Sequence, residues 1–198
     1  MILEGLMTTR NDDGTANVSP MGPIVDADLT TFALRPFQTS TTYRNLKRTG
    51  VGVFHVTDDV EMLAHAAIGR LEPTPAMIDT PGVDGFILAG ACRWFALRVE
   101  SLDDHDERTM IVCRATAKGE LRPFFGLNRG KHAVVEAAII VTRLHLTLPA
   151  DVERQFDALR PLVDKTGGDA EKRAFAFLED HVRTAQAAAG QRTEVRHA

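Results

Sequence analysis

The sequence has few tryptophan, tyrosine and cysteine residues and carries no strong charge of either sign. Its 198 residues include one Trp, one Tyr and two Cys, and the formal net charge is −4. Because it has no run of basic residues, we expect no nucleic-acid partner. The first ten residues lack the basic start and apolar block of a signal peptide, and no apolar run approaches the roughly 20 residues that span a bilayer. We therefore expect a soluble, cytoplasmic protein without a membrane partner.

Motifs of several common enzyme classes are also missing. There is no P-loop, no G-x-G-x-x-G, no H-E-x-x-H and no paired C-x-x-C. Cys92 and Cys113 stand far apart in apolar, strand-like stretches, which predicts two buried reduced thiols rather than a disulfide or a metal site. These absences disfavour metal enzymes and enzymes that act on nucleoside triphosphates.

Two pairs of possible metal ligands stand four residues apart on predicted helices. They are Glu61 with His65, and His132 with Glu136. Each pair lacks a third ligand, and side chains at this spacing usually interact with each other on a helix surface. We therefore predict no metal site.

The predicted elements run from strands to helices. "MILEGLMTTR" and "TANVSPMGPIV" are extended segments joined by the turn sequence "NDDG", and "TTFALRPF" is a third strand. Ser40 to Arg48 is a predicted helix that Gly50 and Gly52 end, followed by the strand "VGVFHVTDD" and the helix "DDVEMLAHAAIGR". A long hairpin spans "AGACRWFALRVESLDDHDERTMIVCRATAKGELR". Three further helices are predicted over 128–144, 151–165 and 169–189.

Two connecting segments have unusual compositions. Residues 72–85 carry three prolines and two glycines without a hydrophobic period, which makes them a long loop and a candidate lid. Residues 103–107, "DDHDE", are predicted to be a solvated hairpin tip rather than a metal site.

This order of elements predicts a β-rich α+β fold, in which short antiparallel sheets close on themselves and the C-terminal helices pack outside. The lack of a βαβ alternation disfavours a dinucleotide-binding fold. We divide the chain into a β-rich domain over 1–125, a helical part over 126–190 that packs on it, and a frayed tail over 191–198.

The segment "RPFQTSTTYRNLKRTG", residues 35–50, has more hydroxyl groups than a helix start requires. One Ser or Thr side chain is enough to cap a helix, and four are present: Thr39, Ser40, Thr41 and Thr42. With Arg35 just upstream, this composition is suited to a phosphate at a helix N-terminus. A capped helix that binds no phosphate, in a structural protein, is the alternative.

The same segment resembles that of a known family. "TTxxNLxxTGxxVFxV", preceded by Ser40, is similar to the phosphate-binding segment of the flavin reductase-like FMN-binding split-barrel proteins, and "ANVSPMGPIV" is similar to the strand that precedes it there. Within that superfamily the chain most resembles the DUF447 group, through "RPF", "STTYRNL" and "FGLNRGKHAVVEAAIIVTRL" with the helices that follow. The resemblance covers nearly the full length.

The resemblance implies an antiparallel split β-barrel over 1–125 that binds FMN, with added C-terminal helices. It also implies a homodimer with one FMN per subunit near the interface. The phosphate would be held by Arg35, Ser40, Thr41 and Thr42, with Gln38 and Thr39 nearby. The ring or ribityl chain would be met by Asn17, Ser19 and Met21, largely through backbone groups.

Several side chains have two interpretations. Asn45 either contacts the flavin or fastens its helix to the barrel. Asn128, Arg129 and Lys131 either cap the later helix or reach a flavin from the partner subunit. Trp94 and Phe95 lie on opposite faces of one strand, so one belongs to the core and the other is a candidate ring contact.

The leading functional hypothesis is an FMN-dependent oxidoreductase that passes hydride or electrons to a small substrate the sequence does not name. The alternative is a non-catalytic flavin carrier or sensor. Haem in the same barrel would require His55 as axial ligand, and pyridoxal phosphate would require Lys47 as Schiff-base lysine; both are disfavoured. No residue points to a nicotinamide donor, so the electron donor and acceptor stay open.

Overall fold

The computed structural model describes residues 1–79, 82 and 84–195, with side chains described as far as residue 188. These residues form two compact units. The β-rich unit contains Met1–Asp59 and Leu71–Phe125, and the helical unit contains Val60–Arg70 and the chain from Gly126 onward. Residues 60–70 thus group with the later helices, whereas the division made from the sequence kept them within 1–125. Among the described residues, no helix is long and apolar enough to cross a membrane.

The described part of the β-rich unit is built on an antiparallel sheet. Its strands are β1 Gly5–Arg10, β2 Ala16–Met21, β3 Ile24–Val25, β4 Thr31–Leu34, β5 Val51–Val56, β6 Met77–Ile78, β7 Ile87–Leu88, β8 Arg93–Asp103 and β9 Met110–Glu120. Seven of them form one sheet in the order β2-β1-β5-β8-β9-β4-β3, and β6 pairs with β7. The predicted β-rich α+β class is confirmed, as are the β1–β2 and β8–β9 hairpins.

The sheet curls back on itself where β2 runs into β3. Strands β1 and β2 pair with Thr9 opposite Asn17. The same pairing continues through a bridge between Ile2 and Ile24, while the other side of β3 pairs with β4. Among the described strands, none covers the outer edge of β2. The barrel is therefore open along β2 and closed along β3.

The two faces of the sheet carry separate apolar clusters. On one face the rings of Phe54 and Phe95 lie 5.6 and 5.3 Å from that of Phe32, centroid to centroid. Trp94 points to the opposite face, where it packs with Val53. Trp94 and Phe95 are both buried in the chain's own clusters, which disfavours the expectation that one of them meets a flavin ring.

A short hairpin occupies part of the segment predicted as a loop. Strand β6 lies within 72–85 and pairs with β7, whose two side chains are fully buried. The apolar pair in β6 is enough for this pairing, although it is too short to give a period in the sequence. Thr80, Pro81 and Val83, in the middle of the candidate lid, lie outside the described residues.

Helix α1, Thr41–Thr49, completes the β-rich unit and has the ends that the sequence predicts. Ser40 is its N-cap, and Gly50 ends it with a φ of 70°, a left-handed conformation that favours glycine. Gly52, also predicted to stop the helix, lies inside β5. The buried side chains of Tyr43 and Leu46 join the same cluster as the three Phe rings.

The described residues of the helical unit form four helices and a short 3-10 helix. They are α2 Val60–Ala67, α3 Arg129–Val141, the 3-10 helix Leu144–Leu146, α4 Pro149–Thr166 and α5 Asp169–Val195. The three predicted C-terminal helices are confirmed with shifted ends. The backbone of α5 continues past residue 189, where the prediction ended it, and residues 196–198 of the predicted tail lie outside the described chain.

Candidate functional site

The four hydroxyl groups at the start of α1 have different surroundings. The Ser40 side chain accepts a hydrogen bond from Tyr43 N at 3.2 Å and is the helix cap. Thr42 is 2 % exposed; its Oγ1 accepts from Asn17 Nδ2 at 3.1 Å and lies 2.6 Å from Ser19 Oγ. The Thr42 hydroxyl is therefore used inside the protein, which corrects its assignment as a phosphate ligand through the side chain.

Arg44 lies at the same turn, although the sequence analysis did not single it out. Its Nη1 donates to Thr39 O at 2.7 Å and its Nη2 donates to Thr41 Oγ1 at 3.0 Å. The side chain folds back over the first turn because helical side chains lean toward the helix N-terminus. An arginine four residues after the N-cap was the signal available in the sequence.

The first turn of α1 also has free backbone donors. Within the described chain, the N–H groups of Thr41 and Thr42 have no hydrogen-bond partner, since the cap serves Tyr43 and the next amide bonds within the helix. The N-terminal end of a helix is positive, so the dipole does not stabilise the Arg44 guanidinium there. Amides and guanidinium together favour an anion at this position.

Arg35 and Gln38 precede this turn and differ in their contacts. Gln38 Nε2 donates to Asp104 O and Asp106 O at 2.7 and 2.8 Å, so its side chain holds the tip of the β8–β9 hairpin. This use corrects the prediction that Gln38 faces the phosphate. Arg35 follows β4 and is half-buried, and its carbonyl accepts from Arg108 Nε at 3.2 Å. No hydrogen bond of the Arg35 guanidinium is found among the described residues.

The acidic tip over 103–107 is partly tied to α1 rather than fully solvated. Asp104 Oδ2 accepts from Tyr43 Oη at 2.6 Å and from Lys47 Nζ at 2.7 Å. The hydrogen bond from Lys47 lowers the pKa of Asp104, and the same bond raises the pKa of Lys47. A lysine held in its charged form is a poor amine nucleophile, which supports the argument against pyridoxal phosphate.

The pairing of β1 and β2 decides which backbone groups face the open edge. Asn11 N donates to Thr15 O and Leu3 N donates to Pro23 O, so the odd-numbered residues of β2 hydrogen-bond to β1. The even-numbered residues point their backbone groups outward. Pro20 fits this assignment, because a proline has no N–H to give to a ladder.

This register corrects one part of the expected flavin contacts. The backbone groups of Asn17, Ser19 and Met21 are used by β1, so the outward backbone groups of β2 belong to Ala16, Val18 and Pro20. The side chains of Asn17 and Ser19 lie toward α1, and Met21 packs against the core cluster.

Asn45 fastens α1 to the first hairpin. Its Nδ2 donates to Thr9 Oγ1 at 3.0 Å and to Asn11 Oδ1 at 2.9 Å, and its Oδ1 accepts from Arg48 Nη2 at 3.3 Å. The residue is 4 % exposed. These contacts favour the structural interpretation of Asn45 over a flavin contact.

His55, the buried histidine of the β-rich unit, has no ring nitrogen left to coordinate a metal. His55 is fully buried; its Nδ1 lies 3.3 Å from Leu6 O and its Nε2 accepts from Leu88 N at 3.1 Å. Burial lowers the pKa of His55 to about 4, so the ring is neutral with both nitrogens used, which does not suit a haem ligand. Cys92 and Cys113 are free and buried, and burial raises the pKa of both thiols.

Asn128 and Arg129 lie in the helical unit. Asn128 Oδ1 accepts from Lys131 N at 3.0 Å and caps α3, while its Nδ2 donates to Thr166 O at 2.9 Å. Both polar groups of the Asn128 side chain are thus engaged, as the capping interpretation requires. Arg129 is exposed on the first turn of α3.

Glu61 and His65, the first candidate metal pair, each have another partner in the helical unit. Glu61 forms two hydrogen bonds of 2.8 Å with Arg173, and the ring of His65 stacks on Phe177 at 3.9 Å. Over the described ranges of the chain, no group of three possible metal ligands comes together.

The open amides of α1 and the open edge of β2 are neighbours. The hydrogen bonds that join Asn17 and Ser19 to Thr42 Oγ1 place the first turn of α1 against β2, whereas Asn45 connects a later turn to β1. The helix therefore runs across the hairpin with its N-terminal end toward the open edge. One side of this site suits an anion and the other offers a row of backbone donors and acceptors.

Known proteins share this architecture. An FMN-bound protein of Methanosarcina mazei superimposes with a TM-score of 0.79 at 23 % identity, covering 91 % of this chain and 94 % of that one. A flavoredoxin of Methanosarcina acetivorans gives a TM-score of 0.52 at 12 % identity, with 62 and 74 % covered. A 2-nitrobenzoate 2-nitroreductase of Pseudomonas fluorescens gives 0.51 at 15 %, with 59 and 64 % covered. The fold is the predicted split barrel.

Two family models match successive parts of the chain. Residues 3–122 match the model described as "Protein of unknown function (DUF447) N-terminal domain", and residues 128–180 match "Protein of unknown function (DUF447)". The two matches include the open strand β2, the start of α1 and most of the helical unit. The chain therefore belongs to the DUF447 family.

Proposed function

We propose that the protein binds FMN across the start of α1 and the open edge of β2. The observation that carries this proposal is the adjacency of two sets of unpaired backbone groups, one at a positive helix end and one along a strand edge. FMN has a phosphate at one end and a ring with a polar edge at the other, and it matches both. The FMN-bound Methanosarcina mazei protein of the same family supports this choice of cofactor.

The phosphate is assigned to the first turn of α1. The N–H groups of Thr41 and Thr42 would bind it together with the guanidinium of Arg44, which is bound to the same turn through Thr39 and Thr41, and Arg35, the residue after β4, would supply a second cation. Thr39 is exposed at this turn and adds a hydroxyl donor. Charge-assisted hydrogen bonds of this kind are worth roughly 1.5–3 kcal/mol each.

The activity proposed for the bound form is oxidoreductase chemistry with a small substrate. The flavin supplies the hydride or electron transfer, while the protein binds it, orients it and leaves one face of its ring accessible. Asn17, Ser19 and Thr42 act by holding the helix start against β2, which fixes the phosphate subsite relative to the strand edge. Because the flavin itself transfers the hydride or electrons, the reaction needs no acidic or basic side chain of the protein.

The second candidate function is a carrier or sensor that holds flavin without turnover. The same contacts serve it, because none of the described side chains at the site is a dedicated acid or base. Reduction by a nicotinamide, a second flavin or a deazaflavin, followed by repeated reoxidation with an added acceptor, distinguishes an enzyme from a carrier. A carrier exchanges electrons once per bound flavin.

We also propose a homodimer with the flavin near the subunit interface. The exposed ring of Phe37, three residues before the N-cap, places apolar surface beside the phosphate subsite, and Phe124 adds more on the same unit. Sedimentation at micromolar concentration is expected to give twice the 21.7 kDa mass of the chain. A monomer fully loaded with flavin contradicts the dimer while leaving FMN binding intact.

The test of FMN binding is the absorbance spectrum of freshly purified protein. Oxidised flavin gives a yellow protein, and chromatography of the cofactor released by heat identifies it as FMN, FAD or riboflavin. We expect FMN, either as purified or after incubation with the three flavins. A protein that binds none of the three contradicts the proposed function.

A further inference from the structure

Residues 35–38 lead from β4 toward the start of α1, where the phosphate is proposed to bind, and they belong to no helix or strand of the sheet. Their backbone pairs with residues 104–109, which join β8 to β9 and which we call the β8–β9 connection. Phe37 forms an antiparallel bridge with Arg108, whose guanidinium lies 5.5 Å from the centre of the Phe37 ring. The chain that precedes the phosphate subsite is therefore held by a hairpin more than 60 residues away.

Thr109 makes two hydrogen bonds to this segment. Its N–H and its Oγ1 both donate to Pro36 O, at 3.0 and 2.9 Å, and the residue is 1 % exposed. Arg108 Nε donates to the preceding carbonyl, Arg35 O, at 3.2 Å. These bonds hold the backbone on the C-terminal side of Arg35, the residue that carries the second cation proposed for the phosphate.

Gln38 ties the other end of the segment to the same connection. Its backbone N–H donates to Glu107 O at 2.9 Å, and its Nε2 donates to Asp104 O and Asp106 O at 2.7 and 2.8 Å. Both hydrogens of the side-chain amide are used by these two carbonyls. Gln38 therefore acts on the backbone that enters the turn and has no side-chain donor left for a ligand.

The β8–β9 connection also contacts α1 itself. Asp104 Oδ2 accepts from Tyr43 Oη at 2.6 Å and from Lys47 Nζ at 2.7 Å. Tyr43 is the residue whose N–H is capped by Ser40. One connection thus holds both the segment that leads into the phosphate subsite and the helix that supplies its amides.

We infer that the β8–β9 connection positions the phosphate subsite, and that Gln38 and Thr109 are positioning residues for the flavin phosphate that do not touch it. This inference rests on the proposed function. Donors that are fixed before a ligand arrives bind it more tightly, because less free energy is spent on ordering them. Riboflavin has no phosphate and gains nothing from this arrangement. Coupling is reciprocal, so a bound phosphate also holds the connection in place.

Thr109→Val removes the hydroxyl group, and Thr109→Ser keeps it. We expect Thr109→Val to weaken FMN about fivefold, as for one lost hydrogen bond, while riboflavin affinity stays the same and Thr109→Ser binds FMN like the wild type. Gln38→Met removes two hydrogen bonds and should act in the same direction more strongly. Thr116→Val is the matched control, because Thr116 Oγ1 donates to Ala96 O at 3.3 Å farther along the same hairpin, and it should change neither affinity.

The result that overturns the inference is a Thr109→Val protein that binds FMN as the wild type does, or that loses FMN and riboflavin affinity equally. An equal loss is what a general weakening of the fold would produce. A wild-type protein that binds no FMN contradicts the proposed function itself.

Hydrogen exchange of the wild type gives a test that does not depend on the folding of a variant. FMN and riboflavin are used at concentrations that raise the melting temperature equally, so that both stabilise the whole fold to the same extent. The amides of Gln38 and Thr109 should then exchange about fivefold more slowly with FMN than with riboflavin. The amide of Cys92, which donates to Val56 O at 2.9 Å, should exchange at one rate with both. Equal rates at Gln38 and Thr109 with the two flavins overturn the positioning role and leave FMN binding intact.

Discussion

Helices α1 and α3 begin with similar sequences in different surroundings. Each has a polar N-cap, Ser40 or Asn128, and an arginine nearby. At the start of α3, an added Cβ on Gly130 would lie 2.8 Å from the backbone of Gly167, and both polar groups of Asn128 are used. At the start of α1 two amides stay unpaired beside Arg44 in the described structure.

The comparison shows how one local sequence feature serves two purposes. The N-terminal ends of α3 and α5 are paired with groups of the helical unit itself. Lys131 Nζ pairs with Glu171 Oε1 at 2.7 Å, and Glu171 Oε2 accepts from Gly168 N at 2.8 Å. The start of α1 is closed only on the side of β2. A helix start fixed in position but left open toward solvent is suited to a ligand.

Breaking the ion pair between Lys131 and Glu171, at the start of α3, is expected to have the largest effect on stability. Lys131→Met leaves the Glu171 carboxylate, with 9 % of its side chain exposed, without its cation. We expect a loss of about 3 kcal/mol in the free energy of unfolding. Arg173→Met is the matched control, because its ion pair with Glu61 is more exposed and is worth at most about 1 kcal/mol. If urea denaturation shows that the two variants lose the same unfolding free energy, the proposed difference between the buried and the exposed ion pair is contradicted.

The same ion pair gives a pH dependence. Burial alone would raise the pKa of Glu171. The hydrogen bonds from Lys131 and Gly168 lower it by more than burial raises it, so the pKa of Glu171 lies below its ordinary value of 4.5. A lowered pKa stabilises the fold at pH values above the ordinary value of 4.5, and this contribution is lost as the pH falls through the folded pKa. The stabilities of the wild type and Lys131→Met should therefore converge below pH 4.5.

Gly130→Ala tests the close packing at the start of α3. The new methyl group meets the backbone of Gly167, which has no side chain to move aside. Overpacking typically costs 1–3 kcal/mol, so we expect a loss of about 2 kcal/mol in thermal or urea unfolding. His132→Ala, at an exposed position of the same helix, should change stability by less than about 0.5 kcal/mol. A neutral Gly130→Ala shows that this helix start is looser than described.

Arg44→Gln and Arg35→Ala test the open end. Each removes a cation from the phosphate subsite, so each should weaken FMN about tenfold or more, measured by flavin fluorescence, while riboflavin affinity changes little. Arg98→Gln, which removes an exposed cation from β8, controls for net charge and should leave both affinities unchanged. Equal weakening of FMN and riboflavin by Arg44→Gln contradicts the phosphate assignment.

The smallest expected effects come from changing Ser40 and Thr39, which distinguish the side chain that caps α1 from one that contacts the phosphate. Ser40→Ala removes the cap and should cost about 1 kcal/mol of stability in protein without flavin. Thr39→Ala removes an exposed hydroxyl and should leave that stability unchanged while weakening FMN slightly. Similar stability losses in both variants indicate that Thr39 is structural.

The sequence was sufficient to predict the order of elements and the start of α1, because turn residues, caps and hydrophobic periods are local signals. It did not separate the roles of the four hydroxyls. Thr42 is buried by contact with Asn17 and Ser19, which are more than 20 residues away, and Gln38 is used by a hairpin tip more than 60 residues away. Such long-range partners are set by the closing of the barrel.

Register was the other property beyond the reach of sequence. An "ANVSPM" strand has two faces and two edges, and only the pairing with β1 decides that Val18 and not Ser19 turns its backbone outward. Arg44 was missed for a different reason. Its position four residues after the cap is visible in the sequence, but only the folded helix shows that its guanidinium turns back to Thr39 and Thr41.

The central claim is that FMN binds where α1 and β2 leave backbone groups unpaired, and amide chemical shifts measure this directly. On titration with FMN, the account predicts large shifts at Thr41, Thr42 and Val18, and none at Lys131 in the first turn of α3. Riboflavin should shift Val18 but leave Thr41 and Thr42 nearly unchanged. Shifts confined to α3, or an FMN complex in which none of these amides of α1 and β2 moves, would contradict the account.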